Sequence, residues 1–134
     1  MAFRLSALAA AAALVLAGCG SDTTVDTDQV KSVVERFALA HDASACDLLS
    51  PNALTDLYGN FDKKNVARAH ANCVEKSKDF KGQPITIDNV NVIDNDRVRV
   101  SAIGPNGAIS YGVSLRRYGS KWLIESISQA KNDG

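Results

Sequence analysis

Few residues in this chain have the types and spacing that catalysis needs. The candidates for proton transfer are His41, Tyr111 and Glu125, which could act as acid and base only if the fold brought them into one pocket. An exposed histidine at a helix end, paired with the neighbouring Asp42, explains His41 more simply. Tyr111 fits a core tyrosine with a satisfied hydroxyl, and Glu125 fits the solvent side of a strand. We therefore expect no catalytic residues and no enzymatic activity.

The short motifs of common reaction classes are missing from the sequence. It holds no HExxH, P-loop or GxGxxG pattern and no Ser/His/Asp order. Its 15 basic and 15 acidic residues give a formal charge of +0, and no basic cluster is present that could neutralise a run of phosphates. We expect no metal ion, no cofactor and no nucleic acid partner.

Cys19 ends an apolar N-terminal stretch in which Arg4 is the sole charge. The apolar run is well short of the roughly 18 to 20 residues that a transmembrane helix needs, and it ends in small residues suited to a peptidase. This pattern is typical of a secretory signal peptide. We expect residues 1–18 to direct export and then to be removed.

Residues 16–19, Leu-Ala-Gly-Cys, resemble the lipobox of bacterial lipoproteins. The resemblance implies cleavage after Gly18 and acylation of Cys19, which would anchor the protein in the cell membrane on its extracytoplasmic face, or facing the periplasm where an outer membrane exists. An ordinary signal peptide with an incidental cysteine is the alternative. The small polar residues that follow predict a flexible tether over 19–26 and a folded domain over 27–134.

Cys46 and Cys73 remain as a pair. An exported protein meets oxidising conditions in which thiols tend to combine, so we expect a disulfide that closes a loop of 28 residues. Two buried free cysteines are one alternative. A metal-binding pair is another, although the sequence offers neither CxxC spacing nor adjoining histidines.

The elements that must position these residues begin with helices. Apolar spacing and start signals predict helices over 28–42, 50–59 and 62–78, with another turn or two over 43–49. The expected caps are Thr27 or Asp28 for the first helix, Ser50 for the second and Asp62 for the third. The third helix would bring Cys73 against the segment that holds Cys46.

From residue 84 onward the pattern changes to β-branched alternation. Four strands are predicted over 85–93, 97–103, 108–118 and 122–128, joined by short turn-rich connections as an antiparallel meander. A shift in apolar phase near Asp88 predicts a bulge that bends the sheet. In the third strand one face carries Ile109, Tyr111, Val113 and Leu115, and in the fourth Glu125 shares a face with Leu123 and Ile127.

This order of elements looks like the nuclear transport factor 2-like superfamily, also called SnoaL-like. Residues 45–51, ACDLLSP, the later Cys73 and residues 115–127, LRRYGSKWLIESI, are similar to small exported bacterial lipoproteins of this type. The resemblance covers about residues 27–130. It implies an α+β cone of N-terminal helices on a curved four-stranded antiparallel sheet, a pair of bonded cysteines, and an interior pocket. The expected lining residues are Phe37, His41, Ile109, Tyr111, Val113 and Trp122.

The functional expectation combines the anchor with the cone. We expect a membrane-anchored protein that binds a partner protein, forms a homodimer or binds a small apolar ligand, without catalysis. One alternative is a ketosteroid-isomerase-like or dehydratase-like enzyme that uses Tyr111 with His41 or Glu125. Another is a carrier of a lipid or other apolar metabolite, which an interior cavity would favour.

Overall fold

The computed structural model describes residues 24–132, so the predicted signal peptide, the lipidation of Cys19 and most of the tether lie outside the described residues. Three α-helices come first and four strands follow, which confirms the predicted α+β class. Among the described helices, none is long and apolar enough to cross a membrane. The elements are α1 Thr27–Leu39, a 3-10 helix Ala43–Leu48, α2 Pro51–Tyr58, α3 Val66–Lys76, β1 Thr86–Asp94, β2 Arg97–Ile103, β3 Ile109–Tyr118 and β4 Lys121–Lys131.

Helix α1 starts and stops at positions that differ from the prediction. Its cap is Asp26, whose carboxylate accepts hydrogen bonds from the backbone amides of Asp28 and Gln29, so the expected caps Thr27 and Asp28 were wrong. The helix ends at Leu39 because Ala40 has an extended backbone. The helical spacing therefore does not continue to His41, which is exposed.

Helix α2 follows its start and stop signals as predicted. The Ser50 hydroxyl oxygen accepts from the Ala53 amide, Pro51 occupies the first turn, and Gly59 ends the helix. Proline suits that position because its missing N–H would have had no partner there. Leu54 is buried in the core.

The cap of helix α3 is Asn65, where Asp62 was expected. The Asn65 side chain accepts from the Arg68 amide, whereas the Asp62 carboxylate accepts from the Lys64 amide in the preceding turn. Both residue types cap helices well, so local sequence leaves the choice open. Helix α3 buries Ala69 and Cys73.

The sheet has the order β1-β2-β3-β4 with every pair antiparallel, which confirms the meander. A register shift between Ile87 and Asn89 confirms the predicted bulge in β1. A second bulge, which was not predicted, lies in β4: Ser114 pairs with Ser126 while Leu115 pairs with Ile124. The extra residue reverses which faces the following side chains occupy.

The core lies between the helices and the inner face of this bent sheet. Val98, Val100, Leu115 and Ile124 are almost completely buried against the helices. A disulfide joins Cys46 to Cys73, as predicted, and thereby ties the 3-10 helix to α3. Both cysteines are fully buried.

Candidate functional site

A cavity of about 310 Å³ opens between α1, the segment that leads into β1, and the inner face of β3 and β4. We call it the cone cavity. Its walls are mostly aliphatic and aromatic. The apolar lining residues are Val34, Phe37, Ala38, Ala40, Ala45, Phe80, Ile85, Val113, Ile124 and Ile127, and the polar ones are Tyr58, Lys81, Gln83 and Tyr111.

The mouth of the cone cavity is built where the chain from α3 passes the C-terminal end of α1. The Gln83 amide donates a hydrogen bond of 2.8 Å to the Ala38 carbonyl oxygen. Gly82 lies so close to α1 that a Cβ atom there would collide with the Leu39 carbonyl oxygen. Glycine is therefore required for this close approach, and the approach sets the side chains of Lys81 and Gln83 at the edge of the opening.

The residues that line the cone cavity differ in their burial. Val34, Ala45 and Ile124 form its deep part and are almost completely shielded from solvent. Lys81 and Gln83 also line the cavity but are exposed to solvent, which places them at its opening. The site is therefore apolar at its base and polar at its mouth.

Two tyrosines, Tyr58 and Tyr111, also line the cavity. Within residues 24–132, neither the Tyr58 nor the Tyr111 hydroxyl has a hydrogen-bond partner, although both side chains are partly buried. Burial raises the pKa of Tyr58, which keeps its phenol protonated at neutral pH. Both hydroxyls can thus donate to a bound molecule.

The six residues expected to line the pocket divide into two groups. Phe37, Tyr111 and Val113 line the cone cavity, and His41, Ile109 and Trp122 do not. Trp122 packs in the core with the Arg117 guanidinium carbon 4.9 Å from its ring centroid. It borders a separate polar recess near the start of α1.

Tyr58 and Lys81 line the cone cavity but were not expected from the sequence. Tyr58 follows the buried Leu54 by four residues, and this helical spacing could have placed it on the inner face of α2. Lys81 lies in an irregular segment, so its position carried no periodic signal.

Glu125 lies at the bulge in β4, outside the lining of the cone cavity. The expectation that it shares a face with Leu123 and Ile127 was wrong, because the bulge breaks the alternation of β4. Its carboxylate accepts hydrogen bonds of 2.7 Å from the Tyr118 hydroxyl and from the Asn52 side-chain amide. These contacts fasten the start of α2 to the sheet.

The pKa of Glu125 reflects opposing influences. Burial acts to raise the pKa, but hydrogen bonds from Tyr118 and Asn52 outweigh it and hold the pKa below its ordinary value. Burial, together with the hydrogen bond to Glu125, raises the pKa of the Tyr118 phenol. At neutral pH Glu125 is therefore a charged acceptor and Tyr118 a neutral donor, and their hydrogen bond stabilises the fold.

Acid and base chemistry would need His41 or Glu125 beside Tyr111. Of these three, Tyr111 alone lines the cone cavity. The other histidine, His70, lies 3.0 Å from the Asp47 carboxylate on the protein surface. No group of three or more His, Cys, Asp or Glu residues within 24–132 is arranged to hold a metal ion.

Comparison with known proteins adds information about the fold. The sequence matches no family model and no curated protein at a significant level. The structure is similar to the crystal structure of an NTF-2-like protein of unknown function from Silicibacter pomeroyi, with a TM-score of 0.52 and 12% sequence identity. The match covers 79% of this chain and 95% of that one. The chain therefore has the nuclear transport factor 2-like fold that the order of its elements indicated.

Proposed function

We propose that this protein is an extracytoplasmic, lipid-anchored binding protein whose cone cavity holds a small apolar ligand. The observation that carries the proposal is the cavity itself, which has a volume of about 310 Å³ and mostly apolar walls. Small-molecule sites span about 300 to 1,000 Å³, so this cavity suits a compact or single-chain molecule. The anchoring rests on the sequence around Cys19.

Binding without catalysis is the function that the lining favours. The described lining contains no carboxylate and no imidazole side chain. Its polar side chains are two phenols, one amide and one amine, so it lacks the carboxylate or imidazole that commonly moves a proton at neutral pH. A ligand that enters would be enclosed by apolar contacts and leave unchanged, which also suits a carrier of an apolar metabolite.

A cavity-filling substitution tests this proposal. Ala38→Leu adds three carbon atoms at the partly exposed wall of the cone cavity, and Ala71→Leu makes the same change on the exposed face of α3 as a control. The first assay measures binding of the fluorescent dye 1-anilinonaphthalene-8-sulfonate to each protein. The second is native mass spectrometry of protein purified from its host envelope, which detects a resident ligand. We expect Ala38→Leu to weaken binding about tenfold or more, since overpacking costs about 1 to 3 kcal/mol.

The control variant should bind like the wild-type protein. Equal binding by both variants would show that the dye occupies another surface, which would contradict the proposed site. Absence of dye binding, together with a bare protein mass, would reject ligand binding altogether.

A protein partner or a second copy of the chain is the second candidate function. It is favoured by Phe61, which is fully exposed in the connection from α2 to α3, with the exposed side chains of Leu57 and Val66 at either side in sequence. Large apolar side chains that are exposed close together in the sequence are compatible with an association surface. Sedimentation velocity of the wild-type protein and of Phe61→Ser tests self-association, and a concentration-independent monomer in both would argue against the homodimer.

A further inference from the structure

The polar groups of the cone cavity are biased toward hydrogen-bond donors. The Tyr58 and Tyr111 hydroxyls and the Lys81 ammonium can all donate, and no described residue accepts a hydrogen bond from any of them. Gln83 adds a side-chain amide at the mouth. A purely hydrocarbon ligand would leave all of these donors unused, whereas a ligand with an acceptor group would satisfy them.

Lys81 supplies the charge of this site. Within the described lining it is the sole Lys, Arg, Asp, Glu or His residue. No carboxylate among residues 24–132 forms an ion pair with its ammonium group. The positive charge at the mouth is thus available to a ligand.

The contrast between buried apolar and exposed charged lining residues favours one orientation of a ligand. The base, formed by Val34, Ala45 and Ile124, is closed and apolar, while Lys81 is exposed at the open end. A ligand that matches this order has a hydrocarbon tail that points inward and a charged head that stays near water. Burying the tail stabilises the complex by about 0.8 kcal/mol per methylene.

We infer that the ligand of the cone cavity is a single-chain amphipathic anion, whose apolar tail fills the base and whose anionic head lies beside Lys81. This inference rests on the proposed function. A carboxylate and a phosphate monoester head share the required chemistry, namely negative charge and several acceptor oxygens. The Tyr58 and Tyr111 side chains also line the cavity and are partly buried, so their hydroxyls are donors that polar atoms of the head can use.

The test is calorimetric titration of the protein with three probes that have ten carbon atoms each: decanoate, decyl phosphate and neutral decanol. We expect at least one of the anions to bind the wild-type protein about threefold to fivefold more tightly than decanol, the upper range for an ion pair near the surface. Comparison of decanoate with decyl phosphate distinguishes the two head groups.

Two matched variants separate the role of Lys81 from general electrostatics. Lys81→Gln should abolish the preference for anions while decanol affinity stays within about twofold. Lys78→Gln removes an equal charge from an exposed lysine that is paired with Glu75 and lies outside the lining, so it should retain the preference. Both lysines are exposed, so neither change should impair folding.

The outcomes distinguish this inference from the proposed function on which it rests. If decanol and the anions bind the wild-type protein equally, the cavity binds apolar molecules but the inference about the head group is overturned. A preference that survives in Lys81→Gln also overturns it. If no probe binds, the inference fails together with the proposed binding of apolar ligands.

Discussion

Reduction of the disulfide between Cys46 and Cys73 should lower the free energy of unfolding by about 3 to 4 kcal/mol at 25 °C. The two cysteines are 27 positions apart, so the bond closes a loop of 28 residues that includes helix α2. For a loop of that length, the chain-entropy relation gives about 3.6 kcal/mol. Domains of this size have total stabilities of about 5 to 15 kcal/mol, so the reduced protein should fold but with little margin.

Other contacts in the native structure do not remove this effect. The Leu49 strand bridge to Ile124 and the hydrogen bond between His70 and Asp47 also hold the 3-10 helix in place. They exist in the folded state, whereas the disulfide acts mainly by restricting the unfolded chain. The reduced protein should therefore show nearly the same native fold. Its free energy of unfolding should depend more steeply on denaturant concentration, because its unfolded chain is more expanded.

Urea unfolding of the oxidised and reduced protein, followed by fluorescence of the buried Trp122, measures the difference. The reduced wild-type chain keeps both sulfur atoms, so it avoids the cavities that Cys46→Ala and Cys73→Ala would create. The double alanine variant serves as a second comparison and should be less stable than the reduced protein. A difference below about 1 kcal/mol between oxidised and reduced protein would refute the loop-entropy argument. Alkylation of the denatured, unreduced protein would show that the bond is absent.

Three further predictions concern other parts of the chain. Tyr118→Phe should lower the free energy of unfolding by about 1 kcal/mol at neutral pH, because it removes a hydrogen bond to a partly exposed carboxylate. Because the pKa of Glu125 is lowered in the folded protein, this contribution is present above the unfolded-state pKa of 4.5 and is lost as the pH falls through the folded-state pKa. Urea unfolding at several pH values should therefore show that the variant loses less stability in acid than the wild type does. Phe61→Asn should raise the free energy of unfolding by about 1 kcal/mol, because Phe61 is fully exposed and has a φ of 75°, which asparagine tolerates better. A lower midpoint in thermal unfolding would contradict this reasoning. Cys19→Ala should move the protein from washed membranes into the soluble fraction, and its persistence in membranes would count against lipidation.

Local sequence signals predicted those parts of the fold that depend on neighbouring residues. Ser50, Pro51 and Gly59 act within one or two helical turns, so the bounds of α2 could be derived from them alone. Alternation of β-branched residues predicted the strands, and the phase shift near Asp88 predicted the bulge in β1. The site was predicted less completely. Phe37, Tyr111 and Val113 line the cone cavity, whereas Trp122 packs away from it.

The errors come from features that involve two elements at once. The bulge in β4 shows itself through its pairing with β3, and it moved Glu125 away from the face that strict alternation assigned. The end of α1 at Leu39 coincides with the passage of Gly82 against its last turn. Neither contact leaves a periodic pattern in the sequence.

By itself, the sequence determined the class of the fold, the order of its elements and the two cysteines that could pair. It did so because helical and strand periodicity, capping and turn formation depend on residues close together in the chain. Tertiary structure decided where a cavity remains and which groups surround it. An empty volume depends on how closely α1, the segment around Lys81 and the inner face of the sheet approach one another, and these parts are far apart in the chain.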